Sequence, residues 1–329
     1  MSDAVVRPPF DPELATFLTA LEARGPLTVT AEMLPRMRQL DVPEDVLDER
    51  LRSRGYQRRT VTVPGHLGDP IDLAVIDRIE RTGTTAAVYT IHGGGMMFGH
   101  HLGNLDSYDD WLLDHDVVLI SVDYRLAPEH PDPYPVEDCY AGLLWVAAHV
   151  DELGVDPARI VIAGQSAGGG LAAGTALLAR DRKGPELLAQ VLVSPMLDDR
   201  DDTVSTKQID GVGVADRQLT RFGWNAYLGA RRGTDDVSGY AAPARAADLS
   251  GLPRTYIDAG SAEVFRDETV AFASRLWAAG VDAELHVWPG AFHGFTSMVP
   301  EAAISRTATR ALADWTRRLL GDPDPVARG

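Results

Sequence analysis

The sequence predicts an α/β fold: a mostly parallel central sheet with helices on both faces and a helical cap. Three features carry that expectation. Short β-rich runs at residues 71–79, 86–91, 117–123, 160–163, 189–194, 254–259 and 283–288 alternate with helical stretches. Most of these runs are continuous in apolar residues, as expected for strands covered on both faces by crossover helices. One connection, residues 197–250, is far longer than a crossover needs. That length marks an insertion over the strand ends, where open α/β sheets bind ligands.

In chain order, residues 1–55 read as helical and partly amphipathic. Asp11-Pro12 opens one helix, Gly25-Pro26 closes it, and residues 30–40 supply a second. The locally basic stretch 50–59 reads as a solvated helix face. Further helices are expected at 105–114, 136–153, 167–182, 267–279 and 301–319, with a helix at 218–227 inside the insertion. The resulting division is 1–55 as N-terminal cap helices, 56–196 with 251–329 as the α/β domain, and 197–250 as the cap insertion.

Composition narrows the functional classes. The 329 residues hold 31 Lys+Arg against 48 Asp+Glu, a net charge of −17, which disfavours nucleic-acid partners. At 45% hydrophobic the chain is no disordered segment. No run of 18 apolar residues exists, so membrane insertion is not expected. Cys139 is the only cysteine and reads as a small core residue; an internal disulfide or cysteine-based metal site is excluded. The acidic N-terminus lacks a signal-peptide pattern, so a cytoplasmic protein is expected.

Chemistry enters with Gly164-Gln165-Ser166-Ala167-Gly168, between the strand at 160–163 and a helix of small residues. G-x-S-x-G in that context is a nucleophile elbow, a turn so tight that side chains flanking the serine are excluded. Ser166 Oγ then stands above the sheet edge, with a helix N-terminus beneath any developing anion. The second motif, His92-Gly93-Gly94-Gly95, follows the strand at 86–91. Successive glycines let backbone N–H groups face open space, which a tetrahedral oxyanion requires. Gly94, Gly95 and Ala167 N–H are the expected donors, and His92 is expected to orient the loop. Neither of the common nucleotide-binding glycine motifs occurs.

Together, His92–Gly95, Asp123-Tyr124-Arg125-Leu126-Ala127-Pro128-Glu129, Tyr134-Pro135 and the run 164–169 resemble the hormone-sensitive-lipase-like family of α/β-hydrolase carboxylesterases. The likeness runs from about residue 61 to 295. It implies an α/β-hydrolase fold, a cap built from the N-terminus plus an insertion, no cofactor, and a homodimer through the last sheet edge.

Triad partners follow the serine as acid, then histidine. His286 lies inside a strand, whereas His293 occupies the loop Pro289-Gly290-Ala291-Phe292-His293-Gly294 and is the expected base. Glu263 and Asp267 both fall just past the strand at 254–259. The family pattern there is D-x-L-x-D with the first position catalytic, which implies Glu263; Asp267 suits the first turn of the next helix. Gln165 departs from the family's acidic residue at that place.

Met97, Phe98, Met196, Trp224 and Phe292 are the candidate pocket residues. Asp123 and Glu129 are expected to hold loops and the Arg125 side chain. His100-His101 and the run Asp198-Asp199-Arg200-Asp201-Asp202 lack metal-site spacing and read as solvated rim, with no metal expected. The expected activity is hydrolysis of small to medium, short-acyl esters, neutral or cationic given the −17 charge. Lactone, amide or acyl-transfer chemistry with the same triad is the alternative, and a non-catalytic receptor on the same fold is a more distant one.

Overall fold

The computed structural model describes residues 6–23, 29–39, 43–81, 83–103 and 115–321. Eight strands form one sheet: β1 (Tyr56–Pro64), β2 (Pro70–Arg78), β3 (Thr85–Ile91), β4 (Val118–Asp123), β5 (Val155–Gln165), β6 (Ala189–Val193), β7 (Arg254–Gly260) and β8 (Ala283–Trp288). Their order is β1-β2-β4-β3-β5-β6-β7-β8. β2 pairs antiparallel with β1 and β4, and every other pairing is parallel.

Eleven helices are described: α1 (Pro12–Glu22), α2 (Leu34–Met37), α3 (Glu44–Ser53), α4 (Tyr134–Ala148), α5 (Val150–Leu153), α6 (Ala167–Asp181), α7 (Val204–Gln208), α8 (Arg217–Leu228), α9 (Arg266–Ala278), α10 (Phe295–Met298) and α11 (Ala303–Leu320). The expected helix at 105–114 and the Gly25-Pro26 stop lie outside the described residues.

Alternation along the strands loads both faces. On β3, Ala87, Tyr89 and Ile91 pack with Leu143 of α4 and Leu171 of α6. Ala86 and Val88 face the other way, into a core with Leu47 and Leu51 of α3 and Trp315 of α11. Covered on both sides, these strands are apolar at nearly every position, which is what made them legible.

β1 was not expected as it stands, and the solvated-helix reading of 50–59 is corrected with it. Helix α3 ends at Ser53, Gly55 turns the chain at φ 83°, and Tyr56 begins a strand. An edge strand has only one partner, so polar residues are tolerated along it. Arg58 folds back onto α3, where it bonds Asp48 at 2.7 Å and Glu44 at 2.8 Å with its side chain only 7% exposed.

Two segments converge above the C-terminal ends of the strands. Asp11 N–H donates to Gly290 O at 2.9 Å, and Leu14 and Leu18 of α1 pack with Phe292 and Phe295. Gln208 Nε2, at the end of α7, donates to Val6 O at 2.6 Å, tying the insertion to the N-terminal segment.

The acidic run 198–202 is not a solvated rim. Asp199 is fully buried, accepting from Gly233 N–H at 2.6 Å and from the Arg245 guanidinium. Asp201 gathers Arg217 at 2.8 Å, Arg221 at 3.6 Å and Arg232 at 3.7 Å. The run thus anchors α8 and the turns after it to the end of β6. Removing one partner of a buried pair strands the other charge. Asp199→Ala is therefore expected to lower stability by about 3 kcal/mol, read as a drop in Tm by calorimetry.

Candidate active site

A single residue, Ser166, links β5 to α6. Ser166 sits there at φ 59° and ψ −125°, a left-handed conformation rare for a side-chain-bearing residue. It is pinned on both sides: its N–H donates to Val193 O at 2.9 Å, and its carbonyl accepts from Met196 N–H at 2.9 Å. A Cβ on Gly164 would lie 2.1 Å from Gly168 O, and one on Gly168 would lie 2.1 Å from Ile91 O. Glycine is the only residue that fits either place.

The His92–Gly95 loop lies against this turn. A Cβ on Gly93 would be 3.3 Å from Ser166 Cβ. Gly94 adopts φ 109°, and its missing Cβ would fall 2.0 Å from Phe98 O, so the loop folds over itself only with glycine there. Gly94 O accepts from both Met97 and Phe98 N–H at 3.0 and 3.1 Å, fixing the peptide planes. Ala167 is the first residue of α6, and its N–H belongs to the helix's N-terminal set, which has no intrahelical acceptor.

His92 stacks on Tyr124 at 4.3 Å, and its Nδ1 lies 2.8 Å from Gly93 O. Tyr124 Oη donates to His92 O at 2.9 Å. Burial lowers the His92 pKa to about 4, so the ring is neutral and its Nδ1–H holds the loop.

Histidine and acid come from the ends of β8 and β7. His293 is 8% exposed, with its ring edge-on to Phe265 at 5.1 Å. Its Nδ1 lies 3.4 Å from Glu263 Oε1. Glu263 is 1% exposed, and its Oε2 accepts from Gly260 N–H at 2.8 Å and Ser194 Oγ at 2.9 Å. Asp267 faces elsewhere: it accepts from Ser205 N–H at 2.7 Å and from Arg266 Nε at 2.7 Å. His286 stacks on Trp288 and lies 2.9 Å from Glu284.

A cavity of about 660 Å³ joins these parts, with Gly94, Gly95, Gln165, Ser166 and His293 on its walls. Of the candidate pocket residues, Phe98 and Met196 line it. Met97, Trp224 and Phe292 do not: each is at most 1% exposed and is spent on packing. Phe292 stacks on Phe17 at 5.8 Å, and Trp224 packs beside Tyr227. In their place the insertion contributes Val214, Ala215, Leu219 and Thr220, the N-terminal segment contributes Val29 and Met37, and α10 contributes Met298. Nearness to the motifs or the insertion was the cue in the sequence; the phase of α8, which turns Gly223, Trp224 and Tyr227 inward, was the better one.

Two loop assignments are also corrected. Arg125 is held by Asp138 at 2.7 Å and Asp69 at 2.6 Å, not by Asp123 or Glu129. Glu129 pairs with Arg38 at 2.7 Å, and Asp123 lies 3.2 Å from His101. His101 is 7% exposed and is no part of a solvated rim.

Behind the acid, Asp258 accepts from Trp288 Nε1 at 2.9 Å, and burial raises its carboxyl to about 6. Its sign is opposite to that of His92. A raised acid adds stability below its unfolded pKa near 4, which is lost as pH rises through about 6. A depressed histidine adds stability above its unfolded pKa near 6.5, which is lost as pH falls toward about 4. The two slopes oppose each other between those limits. Asp258→Asn leaves the histidine slope alone, so the variant is expected to lose about 2 kcal/mol more than the parent between pH 6.5 and 4.5. Urea unfolding at both pH values checks this.

A doubly covered, mostly parallel sheet with a serine at the strand–helix elbow defines the α/β-hydrolase class. A family model described as the alpha/beta hydrolase fold matches residues 88–297. Carboxylesterase NlhH of Mycobacterium tuberculosis is 36% identical over 96% of this chain and 98% of its own length. Among solved structures, bacterial heroin esterase superposes with a TM-score of 0.83 at 38% identity, covering 94% of this chain and 98% of that one. A hyperthermophilic esterase from Pyrobaculum calidifontis gives 0.79 at 32% identity, covering 94% and 99%. The chain belongs to the hormone-sensitive-lipase-like branch of the α/β hydrolases, and it is a carboxylic ester hydrolase. No helix among the described residues is long and apolar enough to cross a membrane.

Proposed function

We propose that the chain hydrolyses short-acyl esters by an acyl-enzyme route on Ser166, His293 and Glu263. His293 Nε2 takes the Ser166 proton as Oγ attacks the ester carbonyl, and Glu263 holds Nδ1–H and offsets the imidazolium charge. Gly94, Gly95 and Ala167 N–H receive the oxyanion. Collapse of the tetrahedral species expels the alcohol, protonated by His293, and water then cleaves the acyl-enzyme by the same steps. The observation that carries this reading is the shared cavity: it is lined by both a strained Ser166 and a buried His293, with the His293 ring 3.4 Å from a buried carboxylate.

The N-terminal segment 1–55 and the insertion 197–250 act as the cap over 56–196 and 251–329, since both supply cavity walls. Their apolar side chains leave about 660 Å³ for acyl and alcohol portions together. Across p-nitrophenyl acetate, butyrate, octanoate and decanoate, kcat/KM is expected to peak at the first two and fall about tenfold by the last. A rise through octanoate to decanoate contradicts the short-acyl reading. The outer edge of β8 is a homodimer surface in this reading: among the described residues β8 pairs with β7 alone, and Val287 and Trp277 nearby are exposed.

A further inference from the structure

The contact between Glu263 and His293 leaves open what decides which carboxylate oxygen meets the ring. Oε2 accepts two hydrogen bonds, from the Gly260 amide at 2.8 Å and the Ser194 hydroxyl at 2.9 Å. Oε1 is the oxygen left 3.4 Å from His293 Nδ1. The amide alone fixes one point; a second donor arriving from another strand end fixes the carboxylate plane. Ser194 is 2% exposed, so its hydroxyl is shielded from bulk solvent.

The backbone at Ser194 is also specialised. It leaves β6 at φ 44°, in the left-handed region. Its N–H donates to Asp258 O at 2.9 Å and reaches Asp258 Oδ1 at 3.2 Å, which ties the turn to β7. A glutamate has one more rotatable bond than the aspartate usual in this place, so an unanchored Glu263 carboxylate has more orientations to lose.

We propose that Ser194 is a positioning residue of the esterase reaction, holding the Glu263 carboxylate so that Oε1 faces His293. This rests on the reading of Glu263 as the triad acid. The hydroxyl touches no substrate; it holds the carboxylate plane and prevents its rotation while the proton moves to His293.

The test measures p-nitrophenyl acetate kinetics for Ser194→Ala and Ser194→Gly, each in the parent and in a Glu263→Ala background. Ser194→Gly relieves the positive φ and serves if Ser194→Ala folds poorly. In the parent, kcat is expected to fall about tenfold with KM within about twofold; in Glu263→Ala the same change is expected to cost less than about twofold. A loss of equal size in both backgrounds makes Ser194 merely structural and overturns the proposal, as does a loss below about twofold in the parent. A Glu263→Ala enzyme with near-parent kcat overturns the acid assignment and this role with it.

Discussion

Ser166→Ala is expected to lower kcat for p-nitrophenyl acetate by about 10⁵-fold or more while leaving the fold intact. The elbow does not depend on the hydroxyl. Its geometry is set by Gly164 and Gly168, by the Ser166 N–H to Val193 O bond and by the Met196 N–H to Ser166 O bond, all of which survive the change. Alanine removes the hydroxyl and nothing else, so circular dichroism and Tm should match the parent. Residual turnover then reports only what the glycine-loop amides and binding supply. A variant that keeps a tenth of parent activity would assign the attack to another group.

The second large effect separates the two acid candidates. Glu263→Ala is expected to reduce kcat by about 10³- to 10⁴-fold with little change in KM, because in the proposed route the acid acts as the histidine charges and not when substrate binds. Asp267→Ala should behave differently. Its carboxylate accepts from Ser205 N–H at the start of α7 and from Arg266, so its loss should cost about 1 kcal/mol of stability and leave kcat within about twofold. Measured side by side, the reverse ranking would move the acid to Asp267 and require the loop after β7 to shift its register.

Much of this architecture could be read from the chain because burial on both faces writes itself into composition. Strands such as Val118–Asp123 and Arg254–Gly260 are buried at all but one position, with apolar residues at their centres. Edge strand β1 is different: among the described residues it has only one neighbouring strand, and its arginines resemble a helix surface until the partners on α3 are known. The run 198–202 shows the same limit for charge. Spacing reveals five charged residues in a row, but the burial of Asp199 depends on Arg245, 46 positions away. Motifs at the elbow and the glycine loop are local, since each residue's role follows from its neighbours, and they were legible for that reason. Pocket walls are not local. Trp224 and Leu219 lie five positions apart on α8, yet one packs inward and the other borders the cavity.

The expectation of neutral or cationic substrates rested on the −17 charge. Much of the carboxylate near the insertion is already matched by arginine, in the pairs of Asp199 with Arg245 and of Asp201 with Arg217. Net charge is therefore a poorer guide to the field at the cavity than the residues that line it.

The central claim is that Ser166 is the nucleophile of an acyl-enzyme. Covalent labelling with a fluorophosphonate tests it most directly, followed by peptide mass spectrometry and parallel loss of esterase activity. The account predicts one adduct per chain, on the peptide containing Ser166, formed in step with inactivation and absent from Ser166→Ala. A folded parent that stays unlabelled, or that is inactivated with the adduct on another residue, would contradict it.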